Sequence, residues 1–440
     1  MTLRRDTICA LASGAPPAAI SVLRVSGPGV SEIIRSRLSI SPLKPRNATL
    51  VDLSSANGSL IDTGLATYMP GPASYTGEDT LEISLHGGRV ITELALEALI
   101  SAGARLAEPG EFTRRAFEAG KLDLTRAEAV ADLIDAESEA QLGQALQQMD
   151  GALDRLYSGW RAELTTCLAL LEASIDFPDE EDAPDRVEAP VRDTLIRLKA
   201  DLSHALKEGN ITERVRDGFR IAILGKPNAG KSTLLNRLAK REAAIVTDVP
   251  GTTRDIVEVR LTMGGYLVWL SDTAGLRETK DIVEAEGVRR AKRAAAESDL
   301  RIWLYDGRKA FESDSVRPGD LVVANKSDLG SGENVSRETL KIAAKSGDGV
   351  AALESEIIAR LSGMTQNLGA PMITRARHRQ GIKSALTHLE TALDHLSGGV
   401  GAEFVSEDIR RASHELGALT GHIDPEHVLG AVFSSFCIGK

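Results

Sequence analysis

Cysteine is scarce in this sequence. Only Cys9, Cys167 and Cys437 occur among 440 residues, with no Cys-x-x-Cys pair and no close histidine partner, so neither a disulfide framework nor a zinc cluster is encoded. Long apolar runs are missing too. No stretch approaches the ~18 to 20 residues that a membrane-spanning helix needs. The N-terminal MTLRRDTICALASG has two arginines but no long apolar core and no small-residue cleavage site, so a secretory signal is not expected and the cytoplasm is. Basic charge is in deficit. With 52 Lys and Arg against 63 Asp and Glu, the formal net charge is -11, which excludes a protein that coats nucleic acid by charge alone and confines any RNA contact to a local patch.

What is present is ordinary for a folded protein, with 42% hydrophobic and 26% charged residues, and a chain too long for one core. Roughly three domains are expected. The N-terminal segment 1–119 reads as mixed α/β. Leu81, Ile83 and Leu85 alternate like a half-buried strand, and Val90, Leu94, Ala98 with Ile91 and Leu99 recur at helical spacing up to Gly103, placed as a helix stop. Thr125 to Glu128 has the form of a capping box and opens an Ala-, Leu-, Glu- and Gln-rich stretch expected to be helical over 125–175. Phe177 to Pro184 is acidic and breaks it, and a further helix is expected over 189–208. Segment 213–366 alternates apolar strands with helices, as a doubly wound α/β domain does. Helical periodicity returns in 367–440, which predicts one helical domain built from 120–212 and 367–440 with the α/β domain inserted.

The strongest local signal is a phosphate-binding loop running from Gly225 through Asn228, Ala229 and Gly230 to Lys231, Ser232 and Thr233. It follows the apolar strand Ile221–Leu224 and precedes a helical run, which is the context such a loop requires. Glycines allow backbone N–H groups to close on phosphates, Lys231 brings a charge to them, and Ser232 can hold magnesium. Downstream, Gly251, Thr252 and Thr253 supply a second magnesium ligand in Thr253. Asp272, Thr273, Ala274 and Gly275 follow the strand Leu267–Leu270, so Asp272 can reach the metal through water. Asn325, Lys326 and Asp328 follow Leu321–Ala324. The Asp328 carboxylate can accept both N1–H and the 2-amino group of guanine, whereas adenine leaves it unpaired. Four motifs in this order predict a GTPase.

A glutamine that orients the attacking water often follows the Asp-Thr-Ala-Gly turn, but here the residue is Leu276, which cannot hydrogen-bond. Glu278, Asp281, Glu284 and Glu286 lie close by in sequence, and spacing chooses none of them.

Several longer stretches, DTICALAS, ISVLRVSGP, YTGEDTLEISLHGG, EPGEFTRRAFEAGKLDLTRAEAVADLI, TDVPGTTRD, DTAGLRE and the terminal FCIGK, together resemble the MnmE (TrmE) family. The resemblance spans essentially the whole chain. It implies an α/β plus α fold: an N-terminal α/β domain that binds folate and dimerises, a discontinuous helical domain, and an inserted Ras-like G domain. It also implies a potassium-stimulated GTPase that works with the FAD-dependent MnmG protein to install a carboxymethylaminomethyl or aminomethyl group on C5 of the wobble uridine of certain tRNAs. Glu284 matches the family's water-positioning glutamate. Asn228 with the loop Thr247, Asp248, Val249, Pro250, Gly251 and Thr252 matches its potassium site, and Arg24, Glu82, Lys121 and Lys440 match its contacts to 5-formyltetrahydrofolate or a related tetrahydrofolate. One stretch departs from the family. Ser13 to Ala19 stands where a Pro-Pro-Gly-x-Gly-Gly turn is common.

The end of the chain, Cys437-Ile438-Gly439-Lys440, does not fit a prenylation signal. Cys437 reads either as a small buried thiol or as a catalytic group. The cluster Arg375, Arg377, His378, Arg379 and Lys383 reads either as a solvated helix start or as a contact to tRNA phosphates. Against a regulatory GTP switch without chemistry stand the folate-type positions and the terminal cysteine. Against a folate-dependent transferase with a vestigial GTPase stand the intact nucleotide motifs.

Overall fold

The computed structural model describes residues 6–176, 183–241, 257–272, 295–311, 316–330, 339–366, 373–423, 426–434 and 436–439. It divides into two compact units, Met1–Ala131 with Met149–Thr165 and Arg410–Lys440, and Asp132–Gln148 with Thr166–Ile409.

The first unit is built on a six-stranded sheet of β1 (Thr7–Leu11), β2 (Ile20–Ser26), β3 (Thr49–Ser54), β4 (Leu60–Met69), β5 (Thr80–His86) and β6 (Ala104–Leu106) in the order β3-β4-β5-β2-β1-β6. All neighbours are antiparallel except β1 and β6. Leu81, Ile83 and Leu85 point into its core as their alternation predicts. Helices α1 (Val30–Arg37) and α2 (Arg89–Ser101) pack with them. The buried stripe of α2 differs from the expected one: Thr92, Ala95, Ala98 and Leu99 are buried, while Val90 and Leu94 are exposed. Small residues on the inner face let the helix approach the sheet closely, and the larger ones turn outward.

Helix α3 (Glu111–Glu118) precedes α4 (Leu124–Asp135). The expected capping box is displaced, because the cap is Asp123. Its Oδ1 accepts from the N–H groups of Thr125 at 2.8 Å and Arg126 at 3.0 Å, while Thr125 and Glu128 are themselves buried inside the helix. A carboxylate at the cap also suits the positive end of the helix dipole.

Helices α5 (Glu139–Met149), α6 (Ala152–Asp176) and α7 (Ala183–Asp217) follow. The last is longer at both ends than its expected 189–208 and contains Pro190. It stops at Gly218, whose φ of +95° suits a residue without Cβ. The sheet of the second unit comprises β7 (Phe219–Leu224), β8 (Val257–Met263), β9 (Tyr266–Asp272), β10 (Leu300–Asp306), β11 (Leu321–Asn325) and β12 (Leu340–Lys341), ordered β12-β11-β10-β7-β9-β8. Only the β8–β9 hairpin is antiparallel. Helices α8 (Lys231–Arg241) and α9 (Val350–Thr365) bury leucine, valine and isoleucine in its core, as parallel sheets covered by helices require. Helix α10 (Ala376–Ser397) packs along α7, and α11 (Ala402–Thr420) and α12 (Glu426–Ser434) complete the chain. Among the described residues no helix is long and apolar enough to cross a membrane.

Candidate functional site

The turn between β7 and α8 is shaped for a phosphate. Gly225 and Gly230 have φ of +146° and +97°, and Asn228 also lies in the left-handed region at +64°. A Cβ on Gly225 would sit 2.0 Å from the Leu304 carbonyl oxygen, and one on Gly230 would sit 2.2 Å from Asn325 Nδ2, so both positions require glycine. Lys231 opens α8 and is buried. Its ammonium curls back over the turn and donates to the carbonyls of Gly225 at 2.8 Å and Lys226 at 3.2 Å. Ser232 and Thr233 are exposed in the first helical turn, the end of a helix whose dipole favours an anion.

Asn325 ties the turn before α8 to the loop at Ala344. Buried at the end of β11, its amide donates to the Ala229 carbonyl at 2.7 Å and accepts from the Ala344 N–H at 3.0 Å. Lys326 follows in a left-handed conformation with φ of +65°, and its ammonium reaches Asp306 Oδ2 at 3.0 Å. The Arg308 guanidinium on Asp306, helped by Lys326, holds that carboxyl well below the usual carboxylate range. Asp328 stands exposed in the short turn Ser327–Leu329. Sequence reasoning missed Asp306 and Ala344. The strand before Ala344 has only two residues, too few to show a period, and Asp306 gains its partner only when β10 and β11 pair in register with Asn325 opposite it.

The backbone of Asp272 ends β9 beside Ile223 of β7. Thr247, Asp248, Val249, Pro250, Gly251, Thr252, Thr253, Thr273, Ala274, Gly275, Leu276, Glu278, Asp281, Glu284 and Glu286 lie outside the described residues.

A second polar centre sits in the first unit. Arg24 and Glu82 face each other across β2 and β5, and Arg24 Nε donates to Glu82 Oε1 at 2.9 Å. The Arg24 guanidinium carbon lies 5.6 Å from each of the Tyr75 and Phe112 ring centroids, and Nη1 donates to the Gly439 carbonyl at 3.5 Å. Lys121 is exposed after α3, with its side chain beside Gly77; Lys440 lies outside the described residues. Behind this centre runs an ion-pair network that the sequence did not announce. Arg115 pairs with Asp6 at 2.8 Å, Glu111 at 2.9 Å and Glu78 at 3.0 Å, and Arg105 pairs with Asp6 and Glu111 at 2.6 Å. Burial alone would raise Glu111, but the two arginines and the Glu108 N–H overcome it and lower its carboxyl.

Two comparisons bear on these sites. The family model for the GTP-binding protein TrmE N-terminus matches residues 7–121, and the model for the MnmE helical domain matches residues 124–437. The chain is 54% identical over 438 residues to the tRNA modification GTPase MnmE of Hyphomonas neptunium, covering 99% of both chains. This chain belongs to the MnmE (TrmE) family of tRNA modification GTPases. It is also 49% identical to the MnmE of Caulobacter vibrioides, covering 99% of this chain and 100% of that one. With the MnmE of Maricaulis maris the identity is 48%, covering 99% of both.

In this MnmE-family chain the C-terminal segment is seated against the first unit's sheet. Gly439 has φ of +100°, a Cβ on it would sit 2.0 Å from the Leu11 carbonyl oxygen, and the Gly110 N–H donates to the Cys437 carbonyl at 3.4 Å. Cys437 itself is exposed, which corrects the buried-thiol reading. Cys9, by contrast, is buried, and burial pushes its thiol up to about 11, so it is an inert core residue. The basic cluster at the start of α10 is also engaged internally. Arg375 pairs with Asp132 at 2.7 Å and Arg379 pairs with Glu213, while His378 is buried. These contacts favour a structural role over one in holding phosphates. A cavity of about 420 Å³ lined by Asp132, Gln141, Arg216, Arg260 and Trp269 lies apart from the phosphate turn. Its charges are paired too, with Arg216 on Asp132 and Arg260 on Glu137.

Proposed function

We propose that this chain hydrolyses GTP in the cytoplasm and, as a homodimer working with an FAD-dependent MnmG partner, supports installation of a carboxymethylaminomethyl or aminomethyl group on C5 of the wobble uridine of certain tRNAs. The observation that carries the nucleotide part is the Asn325 side chain, bonded at once to the phosphate turn and to the loop of Ala344. That bond joins the turn that carries Lys231 to the end of the strand that leads into Asp328, which supports a reading in which Lys231 meets the phosphates and Asp328 the base of one nucleotide. Ser232 and Thr253 would hold magnesium. Asn228, Thr247, Val249 and Thr252 would hold potassium. A cation there neutralises charge that develops at the β and γ phosphates during hydrolysis, so no arginine from a second protein is required. With Leu276 unable to orient water, Glu284 takes that role.

For the one-carbon chemistry, Arg24, Glu82, Lys121 and Lys440 would hold 5-formyltetrahydrofolate or a related tetrahydrofolate. A carboxylate suits the amino and amide donors of a pterin, and cations suit its glutamyl tail. Cys437, exposed within two residues of the Gly439 carbonyl that Arg24 reaches, is available to that chemistry. The dimer reading is supported by apolar side chains exposed on the first unit, including Ile20, Leu50, Leu60, Leu65 and Val90.

Steady-state hydrolysis in potassium and in sodium tests the proposal. The rate should be higher in potassium, and Asn228→Ala should remove most of that difference while GTP still binds, because the ion acts mainly in the transition state. In the same assay Glu284→Ala should lower kcat by roughly 10² with little change in nucleotide affinity. Equal rates in both salts would remove the potassium site from the account, and a fully active Glu284→Ala would remove the glutamate.

A further inference from the structure

The loop joining β4 to β5 passes beside Arg24 and has no regular structure between Met69 and Thr80. Its shape is fixed from several directions. Asp79 closes its base, accepting from the Gly71 N–H and from the Tyr68 hydroxyl, both at 2.9 Å. Thr76 shares a hydrogen bond of 2.7 Å with Ser26 on β2, and Glu78 pairs with the nearly buried Arg115 of α3. A further anchor differs from these in what it holds. The Tyr75 hydroxyl shares a hydrogen bond of 2.9 Å with Thr113 Oγ1, and Tyr75 is the loop residue whose ring lies against the Arg24 guanidinium.

Thr113 is fully buried and follows Phe112, whose ring also lies 5.6 Å from that guanidinium. One turn of α3 therefore sets both rings. It supplies Phe112 directly and pins Tyr75 through Thr113. An arginine held only by Glu82 and the Gly439 carbonyl could still swing about its long side chain, whereas two rings added to these partners leave it few rotamers to lose on binding.

We propose that the Tyr75–Thr113 hydrogen bond is a positioning contact for the tetrahydrofolate-type ligand, fixing the aromatic platform that holds Arg24 in its binding geometry. This rests on the reading of Arg24 and Glu82 as ligand contacts. Neither Tyr75 nor Thr113 needs to touch the ligand. Their action passes through the arginine, so affinity should fall as well as the modest stability that any buried hydrogen bond contributes. The Thr113 side chain is replaced in shape by valine, which removes the hydroxyl alone.

The test is a double-mutant cycle on the full-length protein, with 5-formyltetrahydrofolate binding measured by calorimetry and thermal midpoints measured alongside. Thr113→Val and Tyr75→Phe should each weaken binding roughly threefold to tenfold, the loss of one hydrogen bond's worth of positioning. The double variant should bind no worse than the weaker single one, because either change already breaks the same bond. A purely structural bond would lower the thermal midpoints and leave affinity unmoved. If the wild type binds, Arg24→Ala does not, and both hydroxyl variants bind like the wild type, the positioning role is overturned and the ligand reading stands. If the wild type itself fails to bind, the ligand reading falls and the positioning role falls with it.

Discussion

Replacing Asp328 with asparagine should raise the dissociation constant for GTP by roughly 10² or more, the cost of losing hydrogen bonds to a charged acceptor, while xanthosine triphosphate gains on it. The carboxylate stands exposed on a turn whose backbone is pinned, with the Ser327 N–H donating to the Ile342 carbonyl at 3.0 Å and the Lys326 ammonium tied to Asp306. An asparagine therefore changes the chemistry of recognition without releasing the loop. One of its two acceptor positions becomes an N–H₂ donor, which faces the 2-amino group of guanine as a repulsive contact and the 2-carbonyl of xanthine as a partner. Competition binding with the two nucleotides measures the switch, and an unchanged GTP affinity would show that Asp328 does not read the base.

Deleting residues 437–440 should have the other large effect, abolishing wobble-uridine modification in cells and weakening 5-formyltetrahydrofolate binding while GTP hydrolysis stays near wild type. An unanchored terminal tetrapeptide ordinarily frays. This one is seated, since Gly439 packs on the Leu11 carbonyl in a conformation that excludes a side chain, its own carbonyl accepts from Arg24, and Phe436 is buried beside Gly110. Truncation removes a partner of Arg24 and the Cys437 thiol together. Cys437→Ser separates them, because it keeps Gly439 and Lys440 and removes the sulfur alone. Folate binding retained with modification lost would assign the thiol a part in the chemistry, and full modification by the truncated protein would show that the tail is dispensable.

How much of this was legible in the sequence depended on the range of the interactions. The strands before the phosphate turn and before Asn325 were legible because four apolar residues in a row end abruptly at glycine or asparagine, and they are largely buried as that pattern demands. The glycines of the turn were legible because a motif fixes them, and the absence of room for any Cβ gives the reason. The stripe of α2 was misread because hydrophobicity ranked Val90 and Leu94 above Thr92 and Ala95, whereas close packing selects for small size. The cap of α4 was misread by two residues because Asp123 and Thr125 are both good capping residues and sequence does not say which one the chain bends around.

Pairings between distant segments were not legible at all. Asp306 with Lys326, Arg115 with Asp6 and Glu78, and Arg375 with Asp132 join residues 20, 109, 37 and 243 positions apart, and no local pattern in the sequence links such partners. Arg24 and Glu82 came from family resemblance, and their mutual hydrogen bond follows from the register of β2 on β5.

The central claim is that GTP hydrolysis by this chain serves modification of the tRNA wobble position. It is tested most directly by nucleoside analysis of total tRNA from cells lacking the chain, complemented with the wild type or with Lys231→Ala, which loses the ammonium held over the phosphate turn. The C5 aminomethyl-type uridines should disappear in the deletion strain, return with the wild-type chain and stay absent with the variant. An unchanged nucleoside profile in the deletion strain, or full restoration by Lys231→Ala, would contradict the account.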